Sequence, residues 1–208
     1  ENPFAYQKSN LEGFIKIIEV SKNHGVDNFV YASSSSVYGN NKKVPFSTED
    51  NVDNPISLYA ATKKSNELIA HSYSHLFDLP CTGHRFFTVY GPYGRPDMAL
   101  FIFTKRIVEN EPIEVYNYGD MKRDFTYIDD IVDGLISSLD KPFDYEIFNL
   151  GNNDTVNLMD FVHLIEDELG KKADIQYKPM QPGDVPETYA KIEKSRENGI
   201  EFIELPVA

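Results

Sequence analysis

The chain has 208 residues, 33 acidic against 20 basic side chains for a formal net charge of −13, and 41% hydrophobic residues. That is enough apolar material for the core of one domain or one and a half, which excludes general disorder. The acidic balance argues against sequence-independent binding to nucleic acid or to an anionic membrane. No apolar run approaches the roughly 18 residues of a membrane-spanning helix. Cys81 is the only cysteine, so an intrachain disulfide and a cysteine metal cage are excluded and a reducing cytoplasm is expected. The opening residues Glu1 to Phe4 lack the basic and apolar regions of a secretory signal.

In chain order, Leu11, Phe14, Ile15, Ile18 and Val20 predict a helix over 10–21, closed by His24-Gly25. The run 28–32 (NFVYA) predicts a buried parallel strand that enters a serine cluster. A helix is expected over 55–77, then a strand over 81–87. A Gly/Pro-rich loop from Tyr90 to Asp97 leads to a helix over 99–109 and a strand near 113–116. A helix over 128–139, a strand over 146–150, a helix over 158–169 and a strand over 174–177 complete the series. Strands separated by helices predict an α/β fold with a doubly wound parallel sheet. The break at Gly91 to Asp97 divides residues 1–95, a sheet domain, from 96–208, a smaller lobe from which about 120–150 return to the sheet.

The chemistry concentrates in Tyr59-Ala-Ala-Thr-Lys63, preceded by the serines 33–36 and Val37-Tyr38-Gly39. Positions i and i+4 share a helix face, so Lys63 can stand beside the Tyr59 hydroxyl. A neighbouring ammonium stabilises phenolate and makes tyrosine a usable proton acceptor at neutral pH. A serine hydroxyl at a strand's C-terminal end lies where such sheets receive ligands. Taken singly, Tyr-x-x-x-Lys reads as a solvated helix face, and the serine run as a turn or cap. Strand, serine cluster and Tyr-x-x-x-Lys in this order are far more specific.

With these residues, the chain resembles the extended short-chain dehydrogenase/reductases of the nucleotide-sugar epimerase and dehydratase group. Within that group the pattern is most similar to the UDP-glucuronate 4-epimerases. The matching stretches are FVYASSSSVYG (29–39), SLYAATKKSNE (57–67), RFFTVYGPYGRPDMA (85–99), GDMKRDFTYIDDIVDG (119–134) and QPGDVPETYA (181–190). The resemblance implies a Rossmann-type sheet with a small C-terminal α/β substrate lobe, and NAD as a bound cofactor. It implies that Tyr59 takes the proton of the sugar 4-hydroxyl as C4 gives a hydride to NAD+, and that the 4-keto sugar turns and is reduced on its other face. By motif position, Ser34 is the proton-relay hydroxyl, and Lys63 holds the nicotinamide ribose and tunes Tyr59. Asn10, Ala32, Ser33 and Phe86 fall at cofactor contacts. Thr88, Arg95, Ala99, Arg123 and Asp184 fall at contacts to the UDP-sugar, with Arg95, Arg123 and Asp184 near the diphosphate and ribose. The helix start at Ala99 offers backbone amides to the diphosphate.

Relatives that eliminate water typically carry Asp then Glu in the two positions before Val-Tyr-Gly, and decarboxylating relatives carry Glu in the second; here these are Ser35 and Ser36. Hydroxyls at 34, 35 and 36, with Thr88, suit a hexuronate carboxylate. The reading is therefore 4-epimerisation of UDP-glucuronate to UDP-galacturonate. The alternatives are another NAD-dependent nucleotide-sugar epimerase, such as one acting on UDP-glucose, or a non-catalytic remnant that binds nucleotide sugar or dimerises. Residue by residue, Arg123 can also be read as a partner of Asp124 or Asp129. His71 and His75 have zinc-helix spacing, but Ser72 replaces the glutamate of His-Glu-x-x-His, so no metal site is expected. The family's dimer interface points to a homodimer through helices 10–21 and 57–77. The Gly-rich turn that opens the family's cofactor domain is absent from these 208 residues. Lys191 also stands where the family usually has Asp, and Gln181 where hexose-type epimerases tend to have arginine. A fragment, or a chain shortened at both ends, is the expectation.

Overall fold

The computed structural model describes residues 2–200. Helix α1 (Pro3–Tyr6) starts earlier than the apolar spacing predicted, because the Asn2 side chain accepts from Phe4 N and Ala5 N and Pro3 sits at the first turn. A π-helical stretch (Gln7–Glu12) carries Asn10 and leads into α2 (Gly13–His24), which Gly25 ends at φ 61°. Strand β1 (Phe29–Ser34) runs two residues further than expected and takes Ser33 and Ser34 into the sheet; Ser35–Tyr38 form a tight 3-10 turn. Helix α3 (Leu58–Phe77) starts later than Pro55, since Ser57 caps it through its hydroxyl.

Strand β2 (Cys81–Phe86) is followed by a separate β3 (Thr88–Tyr90), where one strand to residue 87 was expected. Helix α4 (Ala99–Glu109), β4 (Ile113–Val115) and a second tight turn (Tyr116–Gly119) come next. Two short strands, β5 (Lys122–Arg123) and β6 (Phe125–Tyr127), precede α5 (Ile128–Leu139) and β7 (Tyr145–Leu150). The described chain closes with β8 (Val156–Asn157), α6 (Leu158–Leu169), β9 (Ile175–Tyr177) and α7 (Glu193–Glu197).

The fold is an α/β Rossmann type. Among the described residues the main sheet is parallel, in the order β1-β2-β7. Because side chains alternate along a strand, each strand presents two faces. Phe29, Tyr31, Cys81 and Ile147 pack against Ile18 of α2 and Ala70 of α3. Phe148 and Leu150, on the other face, pack against Ile131 of α5. Helices thus cover both faces, as a parallel sheet requires. A separate core joins Phe103 and Ile107 of α4, Ile113 and Val115 of β4, and Phe161 and Val162 of α6. Strands β4 and β9 pair in parallel beside it. Gly83 sits where a Cβ would stand 2.6 Å from the side chains of both Ile147 and Tyr31, so a larger residue in the middle of β2 would have to displace them.

Candidate active site

The C-terminal ends of β1 and β2 carry the site. Ser57 Oγ accepts from Ala60 N at 3.1 Å, which sets the start of α3 and places Tyr59 in its first turn, with Lys63 one turn on. Lys63 Nζ donates to the carbonyl of Ala32 at 2.9 Å and stands 5.9 Å from the Tyr59 ring centre. Burial lowers the Lys63 pKa from its ordinary value.

Ser34 ends β1. Its Oγ accepts from Ser36 N at 3.2 Å and from Ser36 Oγ at 2.9 Å. With two donors on its oxygen, its own proton is left to donate, as a relay hydroxyl needs. Gly39 ends the serine turn at φ 56°, and a Cβ there would lie 2.4 Å from Asn54 O, so only glycine fits.

The other expected cofactor residues separate by strand face. Ala32 is exposed, and Phe86, half-buried, pairs in register with Ser34. Ser33 points the opposite way: it is buried, and its hydroxyl donates to Glu67 Oε1 at 2.6 Å. Only its backbone faces the strand ends. Asn10 reaches α3, donating to Thr62 Oγ1 at 3.0 Å, and Thr62 in turn donates to Tyr59 O at 2.8 Å. Tyr6 adds a ring 6.0 Å from that of Tyr59. These residues fit the nicotinamide-ribose end of a dinucleotide: an exposed small residue, a half-buried cation and hydroxyls at the mouth of parallel strands.

The expected substrate residues gather in part. A cavity of about 190 Å³ is lined by Ser35, Ser36, Gly39, Thr88, Arg123 and Asp184. A neighbouring one of about 390 Å³ shares Thr88, Arg123 and Asp184 and adds Ala99, Tyr116 and Met121. Arg123 Nη2 binds Asp184 Oδ1 at 2.7 Å, so its carboxylate partner is Asp184 and neither Asp124 nor Asp129. Arg123 Nη1 donates to Lys122 O and Pro186 O, which holds the fork in place. Arg95 is set apart: it is exposed, forks onto Asp97 at 3.0 and 2.5 Å, and lines a third cavity of about 440 Å³ with Tyr90, Met98 and Ala99.

Sequence reasoning missed Asp124, Tyr116, Glu67 and Arg85. Asp124 is fully buried and accepts from Asn152 N at 2.7 Å and Ala190 N at 2.9 Å. It fastens the segment beyond Asp184 to the sheet, and burial pushes its pKa up to about 6. Its signal was present in RDFTY, where an acid stands among apolar residues. Among the described residues no three His, Cys, Asp or Glu side chains are grouped to hold a metal ion. Nor is any described helix long and apolar enough to cross a membrane.

A parallel α/β sheet whose strand ends carry a serine hydroxyl, a helix-borne tyrosine and its lysine defines a Rossmann-type protein. The chain belongs to the NAD dependent epimerase/dehydratase family, whose family model matches residues 1–151. It is similar to protein CapI of Staphylococcus aureus, with 56% identity over 211 residues, 93% of this chain and 63% of the relative. It is also similar to UDP-glucuronate 4-epimerase 4 of Arabidopsis thaliana, with 48% identity over 210 residues, 92% of this chain and 48% of the relative. Among solved structures, it resembles the UDP-glucuronic acid 4-epimerase from Bacillus cereus in complex with UDP-glucuronic acid and NAD. That match has 34% identity, a TM-score of 0.85, and covers 92% of this chain and 61% of the other. The chain thus spans between about half and two thirds of the length of these relatives.

Proposed function

We propose that the protein carrying this chain is an NAD-dependent UDP-hexuronate 4-epimerase, interconverting UDP-glucuronate and UDP-galacturonate. The observation that carries this reading is the small cavity where Ser35, Ser36 and Thr88 face Arg123 and Asp184. The Ser35 and Thr88 hydroxyls can each donate to a carboxylate, the Ser36 hydroxyl being engaged with Ser34, while two dehydrating or decarboxylating positions are left without an acid. The two similar proteins named for UDP-glucuronate support the same substrate class.

In this reading Tyr59 takes the proton of the sugar 4-hydroxyl, Ser34 donates to the same oxygen, and Lys63 keeps the phenolate accessible. Bound NAD would supply a reversible hydride acceptor, so the sugar would undergo no net oxidation. Arg123 faces the diphosphate, and Asp184 holds its fork in orientation while facing the ribose hydroxyls. The amides at the start of α4, near Ala99, face the same diphosphate. Residues 1–95 supply the catalytic half, and 96–208 mainly the substrate lobe, with about 120–150 returning to the sheet. The lone, buried Cys81 supports a cytoplasmic setting.

The same reading includes a homodimer through α2 and α3. Its support is an exposed apolar surface that includes Ile17 and Val20 on α2 and Leu68, Leu76 and Phe77 on α3. Leu76→Glu converts it to monomer in light scattering; an unchanged mass excludes this interface.

The test of activity is an assay of the complete protein with UDP-glucuronate, UDP-glucose and NAD+. The expected result is turnover of the uronate and at least about tenfold lower kcat/KM for the hexose. Tyr59→Phe lowers kcat by roughly a hundredfold or more while UDP-sugar binding is retained. Preference for the neutral hexose overturns the substrate, and retained turnover in Tyr59→Phe overturns the role of Tyr59.

A further inference from the structure

On the α3 face of the main sheet, side chains form rungs across the three strands. In register they are Phe29, Cys81 and Tyr145; then Tyr31, Gly83 and Ile147; then Ser33, Arg85 and Asn149. The first two rungs belong to the apolar core. The third, nearest the strand ends, is polar and buried, with Ser33 2%, Arg85 3% and Asn149 1% exposed.

Glu67 comes onto this rung from α3, one helical turn beyond Lys63, and is itself 1% exposed. It accepts Arg85 Nε and Nη2, both at 2.9 Å, and the Ser33 hydroxyl at 2.6 Å. The Arg85 guanidinium also lies 4.9 Å from the ring centre of Tyr38, in the serine turn. Tyr38 donates to Asn149 Oδ1 at 2.7 Å. One connected set therefore touches the helix of Tyr59 and Lys63, the residue beside Ser34, and the turn of Ser35 and Ser36.

Stability does not account for it. A buried ion pair is often no better than apolar side chains of the same volume. Arg85 Nη1, moreover, is buried with no hydrogen-bond partner. We propose that Glu67 and Arg85, coupled through Ser33, are positioning residues that fix the serine turn against the first turns of α3, setting the distance between Ser34 and Tyr59. This rests on the epimerase reading for its catalytic consequence, but not for its structural one.

The test uses the complete protein and the double variant Glu67→Leu with Arg85→Met, which removes both charges and refills the volume. Its melting temperature stays near that of the parent. Amide hydrogen exchange rises about tenfold in residues 33–38 and 57–63 and is unchanged elsewhere in the sheet. On UDP-glucuronate, kcat falls at least about tenfold with KM nearly unchanged, because a misplacement of the order of 1 Å is costly in the transition state. Unchanged exchange in those two segments, or a kcat that recovers with the melting temperature, overturns the proposal. Should the double variant not fold, Ser33→Ala removes only the coupling hydroxyl and raises exchange in the same segments about threefold; unchanged exchange there also overturns it. Exchange needs no substrate, so absence of uronate turnover in the parent protein counts against the epimerase reading alone.

Discussion

The two faces of the main sheet bury polar groups in neighbouring rungs and treat them differently. On the α3 face, Glu67 and Arg85 are both charged and bound to each other. On the α5 face, His84 is fully buried between strands, bonded through Nε2 to Ser138 Oγ at 2.7 Å, and flanked by the rings of Phe86 and Phe148. Burial lowers the His84 pKa to about 4, so it stays neutral. Burial alone would raise Glu67, but the Arg85 fork and the Ser33 hydroxyl bring it below the ordinary carboxylate value. An isolated buried group discards its charge, whereas a paired one keeps it. The charged solution stands on the face that carries Tyr59 and Lys63, and the neutral one on the face that only has to hold α5.

The largest effect comes from breaking the charged face on one side only. Glu67→Gln leaves Arg85 buried without its counter-charge, whereas Arg85→Met leaves Glu67 with only the Lys64 ammonium, 3.7 Å from its Oε2. The first is expected to cost about 3–5 kcal/mol in urea unfolding and the second less. The double variant described above should recover most of that loss. Additive losses in the double variant would mean that the two side chains act independently of each other.

The neutral face is sharpened by pH. His84 has a folded pKa of about 4 against an unfolded value near 6.5. The unfolded chain therefore binds more protons between those values, and stability rises with pH across that window. The contribution is present above about pH 6.5 and is lost as pH falls through about 4, a difference of about 3 kcal/mol. His84→Leu should remove this acid slope while costing the Ser138 hydrogen bond at all pH values. Denaturant titrations at pH 7 and pH 4.5 on both proteins measure it; equal slopes in the two would mean that His84 does not titrate as a buried neutral group.

Much of this comparison was invisible in the sequence, for a physical reason. Apolar periodicity located α4, α5 and α6 to the residue, and local spacing was enough to pair Tyr59 with Lys63, since both lie on one helix. The charged rung joins residues 34 and 18 positions apart, and no local pattern announces which buried serine, glutamate and arginine will meet. The same limit hid Asp124, whose partners Asn152 and Ala190 lie far along the chain. Arg123 was found by motif, but its partner had to be seen: Asp184 is brought in by the folding of the lobe. Element starts at 3 and 58 were missed where a side-chain cap outweighed the apolar pattern.

The smallest effect separates helix stability from helix placement. Ser57 caps α3 through a single hydrogen bond to Ala60 N, two residues before Tyr59 and ten before Glu67. Ser57→Ala should cost about 1 kcal/mol, the usual worth of an N-cap. It frays only the first turn, because α3 remains anchored by Ala70 in the core and by Glu67 on Arg85. The expected result is faster amide exchange at 58–61 with unchanged exchange at 33–38. If exchange also rises at 33–38, the cap and not the buried pair holds the serine turn against α3. The contrast between these two variants therefore decides which contact sets the geometry between Ser34 and Tyr59.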